Sequence, residues 1–281
     1  SSGMIYWISD GVNGVPYGDI RASSLGVLNR IAGAGNLVLF MVGGDSQGSH
    51  GTLVTSAVAG QGNLHDGMGQ GMAPGAKIIA TWEEPMGSVN TNFFYRGYDG
   101  IPNTGDEADI VSYSLSGIGS QGKDMGNYMT EFLSTGNSGP FTHNIRKPNH
   151  AISVGAYTSL ELENGGGTWG SPWQNSARGV SSNFESNPHV VTVGHYHGDG
   201  EALNMGAYNG HMAYNRWHGT SLAAPIAAGI GALAMQAYND EYGENPTSTQ
   251  LRDILMSSAQ NTGLDTYTQG GGFLDAKRAI D

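Results

Sequence analysis

The chain has 281 residues, enough for one large α/β domain or two small ones, either with a core that needs no covalent staples. It has no cysteine, which excludes a disulfide framework, a thiolate metal cluster and a cysteine nucleophile. With 12 basic against 24 acidic side chains the net charge is −12, and no Lys/Arg block exists to neutralise a run of phosphates, so nucleic acid is excluded as a partner.

In chain order, residues 4–8, 37–42, 77–81, 110–114 and 151–156 are short runs that stay apolar on successive residues, the pattern of strands buried on both faces of a parallel sheet. Residues 24–32, 50–59 and 90–98 lie between them as helical crossovers. The expectation is an α/β fold, a three-layer domain with a mostly parallel central sheet flanked by helices, and residues 1–281 forming a single domain. From 165 to 219 the chain turns to Gly, Asn, Ser and Trp with one short apolar run at 190–193, which reads as long ordered surface structure. Residues 220–238, rich in Ala and Leu, predict a buried helix. A second helix is predicted from Thr247, where Thr247 and Gln250 have capping-box spacing after Pro246, through Leu251, Ile254 and Leu255. No continuous apolar run approaches the roughly 20 residues that cross a bilayer, so no membrane span is expected. The start, Ser1-Ser2-Gly3-Met4, lacks the basic and apolar regions of a signal peptide.

Four segments have the residue types of nucleophilic catalysis. Gly219-Thr220-Ser221-Leu222-Ala223-Ala224-Pro225 places Ser221 in the first turn of the buried helix, where unsatisfied N–H groups and the positive dipole end favour negative charge. The same residues would also serve as a plain N-cap. Gly48-Ser49-His50-Gly51-Thr52 sets His50 among small residues at a loop-to-helix junction, able to accept and return a proton near neutral pH. Asp10 follows an apolar strand, in Ile5-Tyr6-Trp7-Ile8-Ser9-Asp10-Gly11, as a carboxylate positioned by a sheet or as a turn residue. Asn137, in Gly136-Asn137-Ser138-Gly139-Pro140, carries side-chain N–H groups that can point at an oxyanion, in a stretch that is also ordinary turn sequence.

Together, in the chain order Asp, His, Asn, Ser, these segments resemble the subtilases, the subtilisin-like serine proteases. Gly71-Met72-Ala73-Pro74-Gly75-Ala76 before a core strand and Gly270-Gly271-Gly272-Phe273-Leu274-Asp275-Ala276 near the end agree with that family, so the resemblance runs from about Met4 to Ala279. Departures are Gly11 directly after Asp10, Leu53 in place of a second histidine, and Thr55-Ser56 where Ala-Gly is frequent, a divergence nearer the archaeal and thermophilic branch around pyrolysin. The resemblance implies a subtilisin-like peptidase domain acting as a serine endopeptidase. Ser221 would be the nucleophile, His50 the general base then acid, Asp10 the carboxylate that orients the imidazole, and Asn137 with the Ser221 N–H the oxyanion hole. Ser114, Leu115, Ser116 and Gly117 would pair with extended substrate, and Ser134, Thr135 and Gly136 would line the pocket opposite. It further implies protein or peptide substrates, a pro-segment or inhibitor as partner, secretion or cell-surface display, no cofactor for the chemistry, and structural calcium at residues the sequence leaves unknown.

A competing enzyme reading is Gly44-Asp45-Ser46-Gln47-Gly48, a G-x-S-x-G between a strand and a helix, as in α/β-hydrolase esterases, with Asp199 and His218 as its remaining partners. A third reading is a subtilase-fold module that binds peptides without cutting them. His195 and His197 have a spacing that suits a metal on a strand, and Asp106, Glu107 and Asp109 offer oxygen ligands, yet loop residues explain both groups as well.

Overall fold

The computed structural model describes residues 6–9, 38–42, 50–60, 70–81, 101, 104, 107–114, 129–140, 151–159, 170–180, 186–196, 202–208 and 211–281. The strands in chain order are β1 (Tyr6–Ser9), β2 (Val38–Val42), β3 (Lys77–Thr81), β4 (Ile110–Tyr113), β5 (Thr130–Ser134), β6 (Ile152–Ser159), β7 (Gly179–Val180), β8 (Ser186–Asn187), β9 (Val190–Tyr196), β10 (Ala202–Tyr208) and β11 (His211–Trp217). The helices are α1 (His50–Ala59), α2 (Thr220–Tyr242), α3 (Ser248–Ser258), α4 (Thr266–Gln269) and α5 (Ala276–Ile280).

Seven strands form one sheet in the order β1-β3-β2-β4-β5-β6-β9. Every pairing from β3 to β9 is parallel, and β1 joins the edge antiparallel to β3, with Ser9 opposite Ile78. This is the α/β architecture expected, a mostly parallel sheet flanked by helices. The expected helices at 24–32 and 90–98 lie outside the described residues. The surface stretch expected before residue 219 is more regular than its composition suggests: β9 extends the sheet through Tyr196, and β10 and β11 form a seven-residue antiparallel hairpin leading straight into α2.

Helix α2 is the centre of the core. Ile230 and most of its alanines are buried against β4, β5, β6 and β9, and Leu222 meets Ala57 of α1. Although no span was expected, α2 is long and apolar enough by length and composition to cross a bilayer; 72% of its most apolar window is buried inside the fold. Two glycines let it sit close. A Cβ at Gly229 would come within 2.6 Å of Met72 Cβ, and one at Gly231 within 2.4 Å of the Phe132 ring on β5. The helix runs past the expected end at Tyr238 because Gly243, in a left-handed conformation with φ 76°, donates its N–H to the Asn239 carbonyl and closes the last turn. Helix α3 opens with the capping box read from the sequence: Gln250 N–H donates to Thr247 Oγ1 at 3.2 Å, and Thr247 N–H donates to Gln250 Oε1 at 2.8 Å.

Candidate active site

In a parallel sheet the strand ends that face the helix N-termini form a crevice where sites are built. Ser114 follows β4 at this edge, and Thr135, Gly136 and Asn137 follow β5. Helix α1 begins at His50 and α2 at Thr220, so His50 and Ser221 occupy the first turns of two helices that pack on each other.

The entry into α2 is built around its neighbours. Its N-cap, Gly219, has φ 124° and no side chain with which to cap; a Cβ there would lie 3.1 Å from Asn137 Nδ2. Asn137 supplies the cap instead. Its Oδ1 accepts from the Thr220 N–H at 2.9 Å and from the Thr220 hydroxyl at 2.8 Å, while Thr220 Oγ1 accepts from the Gly136 N–H at 3.1 Å. The amide oxygen is thereby committed to the helix terminus, and the amide NH2 of exposed Asn137 is the group left for a ligand. The Ser221 N–H, second in the helix, is a first-turn donor without an intrahelical acceptor.

Pro225 removes the N–H that would normally bond to the Ser221 carbonyl one turn earlier. The Ser114 hydroxyl takes that place, donating to the Ser221 carbonyl at 2.8 Å. In return Ser221 Oγ donates to the Ser114 carbonyl at 3.1 Å. The nucleophile candidate and the first residue of the predicted substrate strand are thus in direct contact.

The Asn137 loop is braced from its other side. Ala177 N–H donates to the Gly136 carbonyl at 2.9 Å and Gly139 N–H to the Asn175 carbonyl at 2.8 Å. A Cβ at Gly139 would fall 2.2 Å from the Ser176 carbonyl oxygen, so the contact requires glycine. Ser134 and Thr135 are buried, which leaves partly open Gly136 as the accessible part of the expected pocket wall.

The structure brings Ser221, Asn137, Ser114 and Gly136 together, with Ser134 and Thr135 behind them. Asp10, Leu115, Ser116, Gly117 and the rival Ser46 lie outside the described residues, as do Asp199, His197 and the side chain of His50. Antiparallel β1, which precedes Asp10, ends opposite the start of β3; β2, followed three residues on by Asp45, ends opposite Thr81 and Tyr113 at the edge where Ser114 stands. Among the described residues no cluster of three or more metal-ligating side chains forms. Of the oxygen ligands considered for calcium, Glu107 Oε1 accepts from the Thr104 N–H and Asp109 Oδ1 from Asn245 Nδ2, both at 2.9 Å.

Three features escaped the sequence reading. Thr220 clamps Asn137, for which the only sequence signal is a hydroxyl at a helix start. His218 is exposed, yet its ring packs on Trp173 and His195. Glu131 is buried in the middle of β5, and desolvation pushes its carboxyl up to about 7.

Residues 43–273 match the Subtilase family of S8 peptidases. Asn137, His50 and Ser221 fall within the match and Asp10 before it. Over 67 residues the chain is 37% identical to the halolysin-like extracellular serine protease Nep of Natrialba magadii and 34% identical to halolysin of Haloferax mediterranei. Each alignment covers 24% of this chain and 12% of the relative, so the chain spans a small part of those proteins' length. The fold is similar to that of the prenylagaramide maturation protease PagA, with TM-score 0.62, 18% identity, and 87% of this chain and 92% of that one covered. It is also similar to the PatG macrocyclase in complex with peptide, with TM-score 0.61, 17% identity, and 92% and 94% covered. The family match over most of the chain, the parallel sheet and the serine at the start of its central helix make this chain a member of the subtilase family of serine peptidases.

Proposed function

We propose that this chain is a serine endopeptidase that hydrolyses peptide bonds through an acyl-enzyme. The observation that carries the reading is Asn137, whose amide oxygen is held by Thr220 at the N-terminus of the helix that bears Ser221, so that its NH2 is the end that can donate to an oxyanion. Ser221 Oγ attacks the scissile carbonyl carbon while His50 takes the hydroxyl proton. Charge develops on the carbonyl oxygen, which Asn137 Nδ2–H and the Ser221 N–H stabilise. The C–N bond then breaks, His50 returns the proton to the leaving amine, and water repeats the sequence on the ester. Asp10 orients the imidazole in this reading, a role supported by its place in the motif order. Residues Ser114, Leu115, Ser116 and Gly117 pair with extended substrate as an added strand.

The reading treats residues 1–281 as a single peptidase domain that acts on proteins or peptides outside the cell, as the name of the Natrialba relative says of that protein. A pro-segment or inhibitor is the expected partner. The chemistry needs no cofactor. Structural calcium is expected from the family resemblance alone, and no step of the mechanism uses it.

A fluorophosphonate probe tests the nucleophile. Labelling of the wild type and of Ser46→Ala, lost in Ser221→Ala, is the expected result. Labelling that survives Ser221→Ala and vanishes in Ser46→Ala would establish the esterase reading, and a folded protein that takes no label would establish the non-catalytic one.

A further inference from the structure

Beyond the catalytic residues the site carries a group of rings that the chemistry leaves unused. Trp173 stacks on His195 with centroids 5.4 Å apart and planes inclined by 21°. His218 meets both rings edge-on, at 5.6 Å from Trp173 and 5.1 Å from His195. Trp173 is buried and its backbone N–H donates to the Ala156 carbonyl of β6, while His195 stands on β9. The Gly219 N–H donates to the Gly194 carbonyl at 2.7 Å, which ties the segment carrying His218 to the end of β9. The exposed imidazole therefore rests on two supported rings, three residues before Ser221.

The strand order puts this group on the far side of Asn137 from Ser114. Across the sheet edge β4 presents Ser114, β5 presents Asn137, and β6 and β9 follow with Trp173 and His195. A peptide that crosses this edge in strand order, with its acyl half along Ser114 and its scissile carbonyl oxygen at Asn137, runs on beyond the scissile bond towards β6 and β9. We propose that His218, backed by Trp173 and His195, is a specificity-determining residue that binds an aromatic side chain directly after the scissile bond. The proposal rests on the endopeptidase reading. A flat ring held by two others presents a surface that gives up little side-chain freedom on binding, and ring-on-ring contact adds to simple burial.

The test uses the full chain and fluorogenic peptides that differ only in the residue after the scissile bond, together with a second set varied only before it. The wild type should cleave the Phe, Tyr and Trp members with kcat/KM about five to ten times that of the Ala member. His218→Ala should reduce that ratio to near unity, His218→Phe should restore it, and neither should alter the preferences in the second set. The partition of the acyl-enzyme between water and added phenylalaninamide or glycinamide should show the same loss of aromatic preference. A wild type with no aromatic preference, a ratio unchanged in His218→Ala, or a parallel change in both peptide sets would overturn the proposal. Fluorophosphonate labelling of the same preparation separates the two levels: labelled enzyme without the preference sinks this inference alone, and a folded protein that neither labels nor cleaves sinks the endopeptidase reading with it.

Discussion

The hydroxyl and the backbone N–H of Thr220 donate to one and the same atom, Asn137 Oδ1, at 2.8 and 2.9 Å. The same hydroxyl oxygen accepts from the Gly136 N–H. Thr220 is therefore the residue through which the helix and the β5 loop hold each other. Thr220→Val keeps the size, deletes the hydroxyl and strands the Gly136 N–H; one such hydrogen bond is worth about 1 kcal/mol. The expected result is a kcat about five- to tenfold lower with KM little changed, and recovery in Thr220→Ser. Steady-state kinetics on the three proteins checks this, and a loss that falls on KM alone contradicts it.

Asn137→Leu removes the proposed oxyanion donor at similar volume. The loss should fall on kcat, about 10²- to 10³-fold, because the donor is matched to charge that the ground state lacks. The substitution also takes the cap from the Thr220 N–H, so a melting curve belongs beside the kinetics. A destabilised variant whose folded fraction turns over normally would remove Asn137 from the mechanism.

The triad carboxylate is tested by parallel substitutions. Asp10→Asn should nearly abolish turnover without unfolding the chain, while Asp45→Asn should remain active. The direction of β1 makes Asp45 the informative control, since β2 rather than β1 ends at the edge where Ser114 stands. Full activity in Asp10→Asn with loss in Asp45→Asn would transfer the role.

Glu131 sets a pH dependence of stability. Burial raises its carboxyl from 4.5 to about 7, so the folded chain keeps a proton that the unfolded chain has released. This favourable contribution is complete below about pH 4.5 and is lost as pH rises through about 7, by up to about 3 kcal/mol. Glu131→Gln should therefore be the more stable protein above neutrality and nearly equal to wild type in mild acid. Denaturant titrations across that range check it; a difference independent of pH would show that Glu131 does not titrate on unfolding.

What the sequence made legible follows from how each signal is written in side chains. Residues 77–81 and 50–59 coincide with β3 and α1, because apolar runs bounded by polar or glycine-rich turns mark their own ends. The capping box of α3 was readable because both bonds join residues three apart. Strand β5 went unread, since Thr130 and Glu131 open it with polar groups that only a central position in the sheet buries. The β10–β11 hairpin was hidden by its Gly, Asn and Ala content, although Asn209-Gly210 between its strands is a turn signature. The polar residues Asn239, Asp240 and Glu241 end the apolar pattern of α2 one turn before its backbone ends. At the site, Ser221 and Asn137 were marked by neighbouring glycines, whereas Thr220 and the ring group of Trp173, His195 and His218 depend on contacts between distant segments.

The two glycines beneath α2 bear on the chemistry from a distance. Gly231 faces Phe132, five residues before Asn137 on β5, and Ser221 lies on the same helix ten residues before Gly231. A methyl group at either glycine must push the helix away from its neighbour, and a rigid helix passes that displacement on to its first turn. The separation between attacking hydroxyl and oxyanion donor is thus gauged in the interior of the protein, by two hydrogen atoms where any other residue would place carbon. Positions 229 and 231 should then be as intolerant of substitution as residues that touch the substrate, and their variants should lose turnover before they lose the fold.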